Sequence, residues 1–186
     1  MKKFELTSET KINIFGKKLF RIKALISFAD VEAGETGGWV EKEGNVNQSG
    51  DAWVYGNAEV YGNAKASGNA KVYGNAKVYG DAKVYGNAEV YGDAWVYGNA
   101  KVSGNADVYG DAEVYGNADY TTIHGFGTQF RTTTFFRCKD KKVRVACGCF
   151  FGTIPEFREQ VKNTRKGKIA EEYLMIADLM EKHFEK

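Results

Sequence analysis

The stretch NAKVYGNAKVYGDAKVYGNAEVYG, residues 69–92, is four turns of one hexapeptide, Asn/Asp-Ala-Lys/Glu-Val-Tyr-Gly, and the same unit runs far to either side of it. Glycine recurs every six residues from Gly44 to Gly116, each followed by Asn or Asp. From Gly50 onward alanine stands two places after each glycine, Ala52 to Ala118, and valine two places after that, with Ala66 as the interior exception and Tyr120 at the far end. Self-similarity at a fixed short period is the signature of a solenoid, in which each unit buries its apolar face only by stacking on the next.

The alternation within the unit sets the local structure. In an extended segment residues two apart share a side, so Ala and Val face in while the Lys, Glu, Asp or Trp between them faces out. Such short segments need tight corners, and Gly-Asn or Gly-Asp pairs tolerate the left-handed backbone that a corner demands. A chain of two-residue hairpins is the competing reading; the order Gly-Asn and arms this short argue against it.

This pattern, valine followed four residues later by a small residue and cycling every six, resembles the hexapeptide-repeat left-handed β-helix family. The resemblance implies a parallel β-helix of three hexapeptides per coil, a triangular prism with 18 residues per coil whose crossovers run against the usual right-handed rule. Gln48 to Asp119 then make four coils, stacked about 4.8 Å apart into a prism about 19 Å long. On that spacing Tyr55, Tyr73, Tyr91 and Tyr109 form one outer column, Tyr61, Tyr79, Tyr97 and Tyr115 a second, and Ser67, Tyr85 and Ser103 a third. The tyrosine columns either reinforce the coils by aromatic stacking or present an edge to a partner.

Strand-centre columns follow on the same spacing. Trp53, Lys71, Glu89 and Asp107 place Lys71 over Glu89; Glu59, Lys77, Trp95 and Glu113 begin with a similar pair. Both are surface pairs that support register and contribute little each. Lys65, Lys83 and Lys101 stack like charges on the third face, ending at Asp119, and read either as a solvated face or as an anion-binding one.

The ends differ from the repeat. Lys11 to Phe15 and Leu19 to Ala24 alternate around Gly16-Lys17-Lys18, which predicts a β-hairpin covering the open end of the helix and leading through Gly37-Gly38-Trp39-Val40 into the first coil. The segment resembles the cap preceding very regular repeats in proteins of phages and of bacteria carrying prophages. After Asp119, residues 132–138 and 143–150 around the polar turn 139–142 predict a second hairpin. Thr153-Ile154-Pro155-Glu156 has capping-box spacing with proline in the first turn, so a helix starts there, and a longer amphipathic helix follows from about Lys168. The expected fold is thus mainly β: N-terminal hairpin cap 1–36, left-handed β-helix 37–120, and a C-terminal module 121–186 of hairpin plus two α-helices. The last helix is expected to cover the prism end, or to mediate trimerisation, since the family is commonly trimeric.

Composition excludes some functions. With 26 Lys and Arg against 24 Asp and Glu, a net charge of +2 gives no drive toward sequence-specific nucleic-acid or membrane binding. No apolar run is long enough to span a bilayer, and no signal-peptide core follows Met1, so a cytoplasmic protein is expected, in the host cytoplasm if phage-encoded. Cys138, Cys147 and Cys149 read as buried reduced thiols: their spacing fits neither a disulfide framework nor zinc, and neither metal nor cofactor is expected.

The family resemblance implies two activities to weigh. Acyl transfer uses a histidine as general base near a loop that interrupts the coils. Here the coils run unbroken and hold no histidine, leaving His124 as the sole candidate. The carbonic anhydrase branch needs three histidines on zinc, and this chain has two. The expected function is therefore non-catalytic recognition, with Arg131, Thr132, Thr134, Arg137, Lys142 and Arg144 offering guanidinium, ammonium and hydroxyl donors to a phosphate or carboxylate. The C-terminal module resembles one carried by phage-encoded repeat proteins, through its run Gly148-Cys-Phe-Phe-Gly-Thr-Ile-Pro-Glu-Phe157, but has Thr164-Arg165-Lys166 where that module has Thr-His-Gly. That context implies sequestration of a nucleotide-type signal or a host defence protein. A ligand-free scaffold and an acyltransferase are the alternatives.

Overall fold

The computed structural model of the chain describes residues 1–185. Three strands open it, β1 Phe4–Ile12, β2 Lys18–Ala24 and β3 Thr36–Val40. Eleven two-residue strands follow, β4 to β14, from Trp53–Val54 to Glu113–Val114, one in each hexapeptide. Their pairing is parallel and steps by eighteen residues: Trp53 registers with Lys71, Lys71 with Glu89, and Glu89 with Asp107. The body is therefore a β-solenoid of about four coils with three faces.

The repeat explains this geometry directly. The Ala and Val of the coils, Ala52 through Val114, are fully buried and form one continuous core. Each coil bonds the next through its backbone, as in Tyr73 N–H to Val90 O at 3.0 Å and Asn75 N–H to Gly92 O at 2.9 Å. The corner glycines explain why the unit cannot drift. Gly74 sits at φ +68°, and a Cβ there would come within 3.0 Å of the Gly92 nitrogen one coil above, so both the backbone conformation and the stacking distance exclude a side chain.

The N-terminal hairpin extends the second face: β1, β2 and β3 pair antiparallel in sequence, and β3 runs parallel to the rung Glu59–Val60. Phe4, Ile22, Ala24 and Val31 join the prism core. Gly37 and Gly38 cross so close to the first coil that an added Cβ would lie 2.6 Å from Trp53 and from Val54 respectively. Trp53 points away from the prism axis, as alternation requires, yet is fully buried, because Phe4 and Phe28 pack edge-on against it at 5.8 and 5.4 Å.

Two expected surface features differ. Lys71 pairs with Asp30 of the N-terminal segment at 2.9 Å instead of Glu89, whose carboxylate accepts from Tyr73 Oη at 2.8 Å. Lys77 does approach Glu59, at 4.0 Å. Asp119 does not close the lysine stripe: it accepts from the backbone N–H groups of Tyr115 and Gly116 and faces Arg137 at 3.4 Å.

The C-terminal module departs most from expectation. The expected hairpin is present as β16–β17, but it is the middle of a four-stranded antiparallel sheet, β15 Tyr120–Phe126, β16 Arg131–Arg137, β17 Val143–Cys147 and β18 Phe150–Thr153. Gly148, at φ +60°, turns the segment expected to be one strand into two. Helices α1 Ile154–Thr164 and α2 Gly167–Phe184 follow, α1 capped by Thr153 and Glu156 as the spacing predicted. The sheet, not α2, covers the prism end. Phe136, Cys138 and Ala146 on one side join the prism core, whereas Phe135 and Val145 on the other pack with Phe157, Tyr173, Ile176 and Phe184 of the helices. Of the three thiols only Cys138 is buried, and burial, reinforced by Asp111, pushes it up; Cys147 is half-buried and Cys149 exposed.

Candidate functional site

Alternation along β16 separates the residues expected to form one anion site. Thr132, Thr134 and Phe136 face the prism, while Arg131, Phe135 and Arg137 belong to the helix side. Arg131 and Arg137, six residues apart, stand at opposite ends of the strand, about 20 Å from each other. Arg137 donates to the Phe184 carbonyl, lies over the Phe184 ring at 5.4 Å and faces Asp119, which ties α2 to the sheet. Arg144 donates to Asp140 at 2.8 Å and holds the β16–β17 turn, keeping the Asp140 carboxyl below its ordinary value. Thr134 is buried and accepts from the Asp107 backbone N–H at 3.1 Å, joining module to prism.

Lys142, at the end of the β16–β17 turn, lines a hollow beside Arg137 and Val143. What remains are Arg131, Thr132 and His124, and these the structure brings together. His124 Nδ1 lies 3.3 Å from Thr132 Oγ1. Both line a cleft of about 370 Å³ at the junction of prism and module, whose other wall is Asn87, Asn105 and Asp107 of the repeat. Arg131 stands at its rim and also lines a second cavity, of about 440 Å³, enclosed by the β15–β16 and β17–β18 turns and by the end of α1, where Arg165, Cys147 and Tyr173 meet it. Gly148 makes room for this: a side chain there would collide with the Arg131 guanidinium.

The electrostatics of the cleft are mixed. Asp107 is half-buried, and burial, with Glu89 one rung below, raises its carboxyl above the ordinary value. The repeat supplies amides in register: Asn69 Nδ2 donates to Asn87 Oδ1, and Asn87 Nδ2 to Asn105 Oδ1, each at 2.9 Å, so that the ladder ends at Asn105 in the cleft. Beside it Phe130 holds its backbone at φ +48° and leaves its ring largely exposed, at 65%. An aromatic residue in the left-handed region costs about 1–2 kcal/mol, and such positions concentrate at functional sites. The cleft thus offers amide donors and acceptors, a guanidinium, an imidazole, a carboxylate and a ring face, a set able to hydrogen-bond and stack against a polar aromatic molecule. The side chain in contact with the His124 ring is the Thr132 hydroxyl.

Reasoning from sequence identified Arg131, Thr132 and His124 but missed Asn87, Asn105, Asp107 and Phe130. The repeat residues carry no mark distinguishing them from their eighteen-residue neighbours, and only the docking of the module selects them. The two tyrosine columns are stacked as expected: Tyr73, Tyr91 and Tyr109 at 4.6 Å, and Tyr61, Tyr79 and Tyr97 at 5.0 Å, with Tyr55 and Tyr115 edge-on at their ends. Phe15 from the N-terminal hairpin covers part of the second column at 5.5 Å from Tyr79. The chain matches no protein-family model and no curated protein. Among the described residues no helix is long and apolar enough to cross a membrane.

Proposed function

We propose that the chain is a non-catalytic binding protein of the hexapeptide-repeat, left-handed β-helix type found in phages, which recognises a nucleotide-type signal or a host factor stoichiometrically. The junction cleft carries this reading, because Arg131, Thr132 and His124 converge there on Asn87, Asn105 and Asp107. On the same reading the protein acts as a homotrimer in the host cytoplasm. Calorimetry against a panel of cyclic and linear nucleotides, run beside native mass spectrometry of the purified protein, tests it. Nucleotide binding at the cleft, weakened tenfold or more by Arg131→Ala, is the expected result; no nucleotide binding and no co-purifying host partner refutes it. The ligand-free scaffold is the second reading, favoured by the unbroken tyrosine stacks and amide ladder, which stiffen the prism whatever it binds. Acyl transfer from acyl-coenzyme A through His124 is the third, and turnover abolished by His124→Ala would establish it.

A further inference from the structure

The third face breaks the pattern of the other two in two respects. Its corner column is Ser67, Tyr85 and Ser103, and its strand register places Lys65, Lys83 and Lys101 directly above one another. In the other columns each interior tyrosine has a ring on both sides: Tyr79 and Tyr91 are stacked between rings at 4.6 to 5.0 Å within 8° of parallel, and Tyr73 and Tyr97 have one stacked and one edge-on neighbour. Tyr85 has a serine one rung below and another one rung above. Each flank of its ring therefore lacks the column neighbour that covers the other tyrosines, leaving a ring-free slot at one rung's spacing of about 4.8 Å, and Tyr85 itself is 39% exposed.

The charges beside these slots are also singular. On the first face Lys71 is matched by Asp30, and on the second Lys77 by Glu59. Among the described residues Lys65, Lys83 and Lys101 have no carboxylate within ion-pair distance, though stacking three like charges on rungs about 4.8 Å apart is unfavourable in itself. They line, with Ser67 and Tyr85, a recess of about 750 Å³, bounded below by the segment Glu43–Gln48. Beyond Tyr85 it continues as a second hollow of about 300 Å³ that reaches Tyr120.

We propose that this face binds a planar aromatic anion of the nucleoside-phosphate class, its ring stacked on Tyr85 in the place of a missing tyrosine and its phosphate on the lysine ladder. Stacking of a base on an aromatic side chain is tolerant of the base's identity, while the lysines supply charge without fixed geometry. The site is separate from the junction cleft and stands or falls independently of it.

The probe is ADP, titrated by calorimetry into Arg131→Ala protein, in which binding at the cleft is weakened at least tenfold. Wild-type face residues in that background bind ADP, and ribose 5-phosphate, which has the phosphate without the ring, binds at least tenfold more weakly. Adding Ser67→Tyr and Ser103→Tyr fills both slots with rings of the kind the other columns already carry. It abolishes ADP binding while the melting temperature holds or rises. Lys83→Gln weakens binding about tenfold and lowers its salt dependence, as loss of one phosphate contact should. A short single-stranded oligodeoxyadenylate, compared with ADP, distinguishes a free nucleotide from a strand: tighter binding of the oligomer assigns the site to a strand, equal or weaker binding to the mononucleotide. No ADP binding in the Arg131→Ala background, or binding that survives the paired serine substitutions, overturns the proposal.

Discussion

The prism and the C-terminal module reach a folded core by opposite means. In the prism every buried Ala or Val touches counterparts eighteen residues away, so the same contact is repeated coil after coil and the core is one continuous cluster. The module has no repeat. It buries Phe135, Val145, Phe157, Tyr173 and Phe184 between a four-stranded sheet and two helices, in a separate cluster. The sheet is shared, one side closing the prism and the other carrying the helices. Redundancy makes the prism insensitive to which coil is inspected, whereas the module depends on individual side chains, and the candidate cleft lies where the two meet.

That contrast breaks most sharply with a charge in the prism interior. Val90 is fully buried in the middle of the stack, and Val90→Asp places a carboxylate where no partner can reach it. The expected cost exceeds about 4 kcal/mol, with loss of the cooperative unfolding transition by circular dichroism. Phe135→Ala is the corresponding change in the module. Removal of a buried ring should cost about 3–5 kcal/mol, yet because Phe135 belongs to the helix-side cluster, hydrogen exchange should show the helices losing protection while mid-prism amides keep theirs. If prism amides are released to the same extent, the two regions are one cooperative unit and the division fails.

Alkaline titration sharpens the comparison from the other side. Burial raises the phenols of Tyr61, Tyr73, Tyr79, Tyr91, Tyr97 and Tyr109 above their ordinary 10, and Glu89 and Glu113, each accepting a phenol hydrogen bond at 2.8 Å, add to this for Tyr73 and Tyr97. An acid whose folded pKa is raised holds its proton more tightly when folded, so its stabilisation is complete below pH 10 and is lost as the pH rises past it. Tyrosine ionisation followed at 295 nm should therefore coincide with loss of the β signal above pH 10. Ionisation of these phenols near pH 10 with the fold intact would show that the columns are loose surface rings.

How much of this was legible in the sequence follows the same division. The eighteen-residue register and the tyrosine columns it stacks followed from the resemblance to the hexapeptide-repeat family, whereas the six-residue period, the inward Ala and Val and the start of α1 were readable because each is fixed by a local period or a local motif. Strand β15 and the turn at Gly148 were not: Thr121, Thr122 and Ile123 alternate too weakly to announce a strand, and the run Val143 to Phe150 reads as continuous until Gly148 adopts positive φ. The expected anion site failed to assemble in one place for a related reason. Arg131, Arg137 and Arg144 are neighbours in sequence pattern, but a strand has two faces and two ends, and which arginine is left free depends on Asp119, Asp140 and the Phe184 carbonyl, partners that no spacing reveals. Lys71 stands over Glu89 as the spacing implied, but its ion pair is made to Asp30, which reaches it from a segment outside the repeat.

The smallest expected effect tests whether a local motif keeps its local energy in the module. Thr153 Oγ1 accepts from the Glu156 backbone N–H at 3.4 Å, and Glu156 Oε2 accepts in return from the Thr153 N–H at 2.7 Å and hydroxyl at 2.8 Å. These bonds hold the Glu156 carboxyl below its ordinary value, so the cap is present at neutral pH and weakens as the pH falls and that carboxylate takes up its proton. Thr153→Ala removes the reciprocal arrangement at an expected cost of about 1 kcal/mol, seen as a small fall in the module's melting temperature and faster exchange at the first turn of α1. Thr153→Ser should restore most of it, because the hydroxyl and not the methyl makes the cap. A loss several times larger, unrescued by serine, would mean that Thr153 acts through its place at the end of β18, where it registers with Arg144, and that even the most local motif in this region is governed by tertiary contacts.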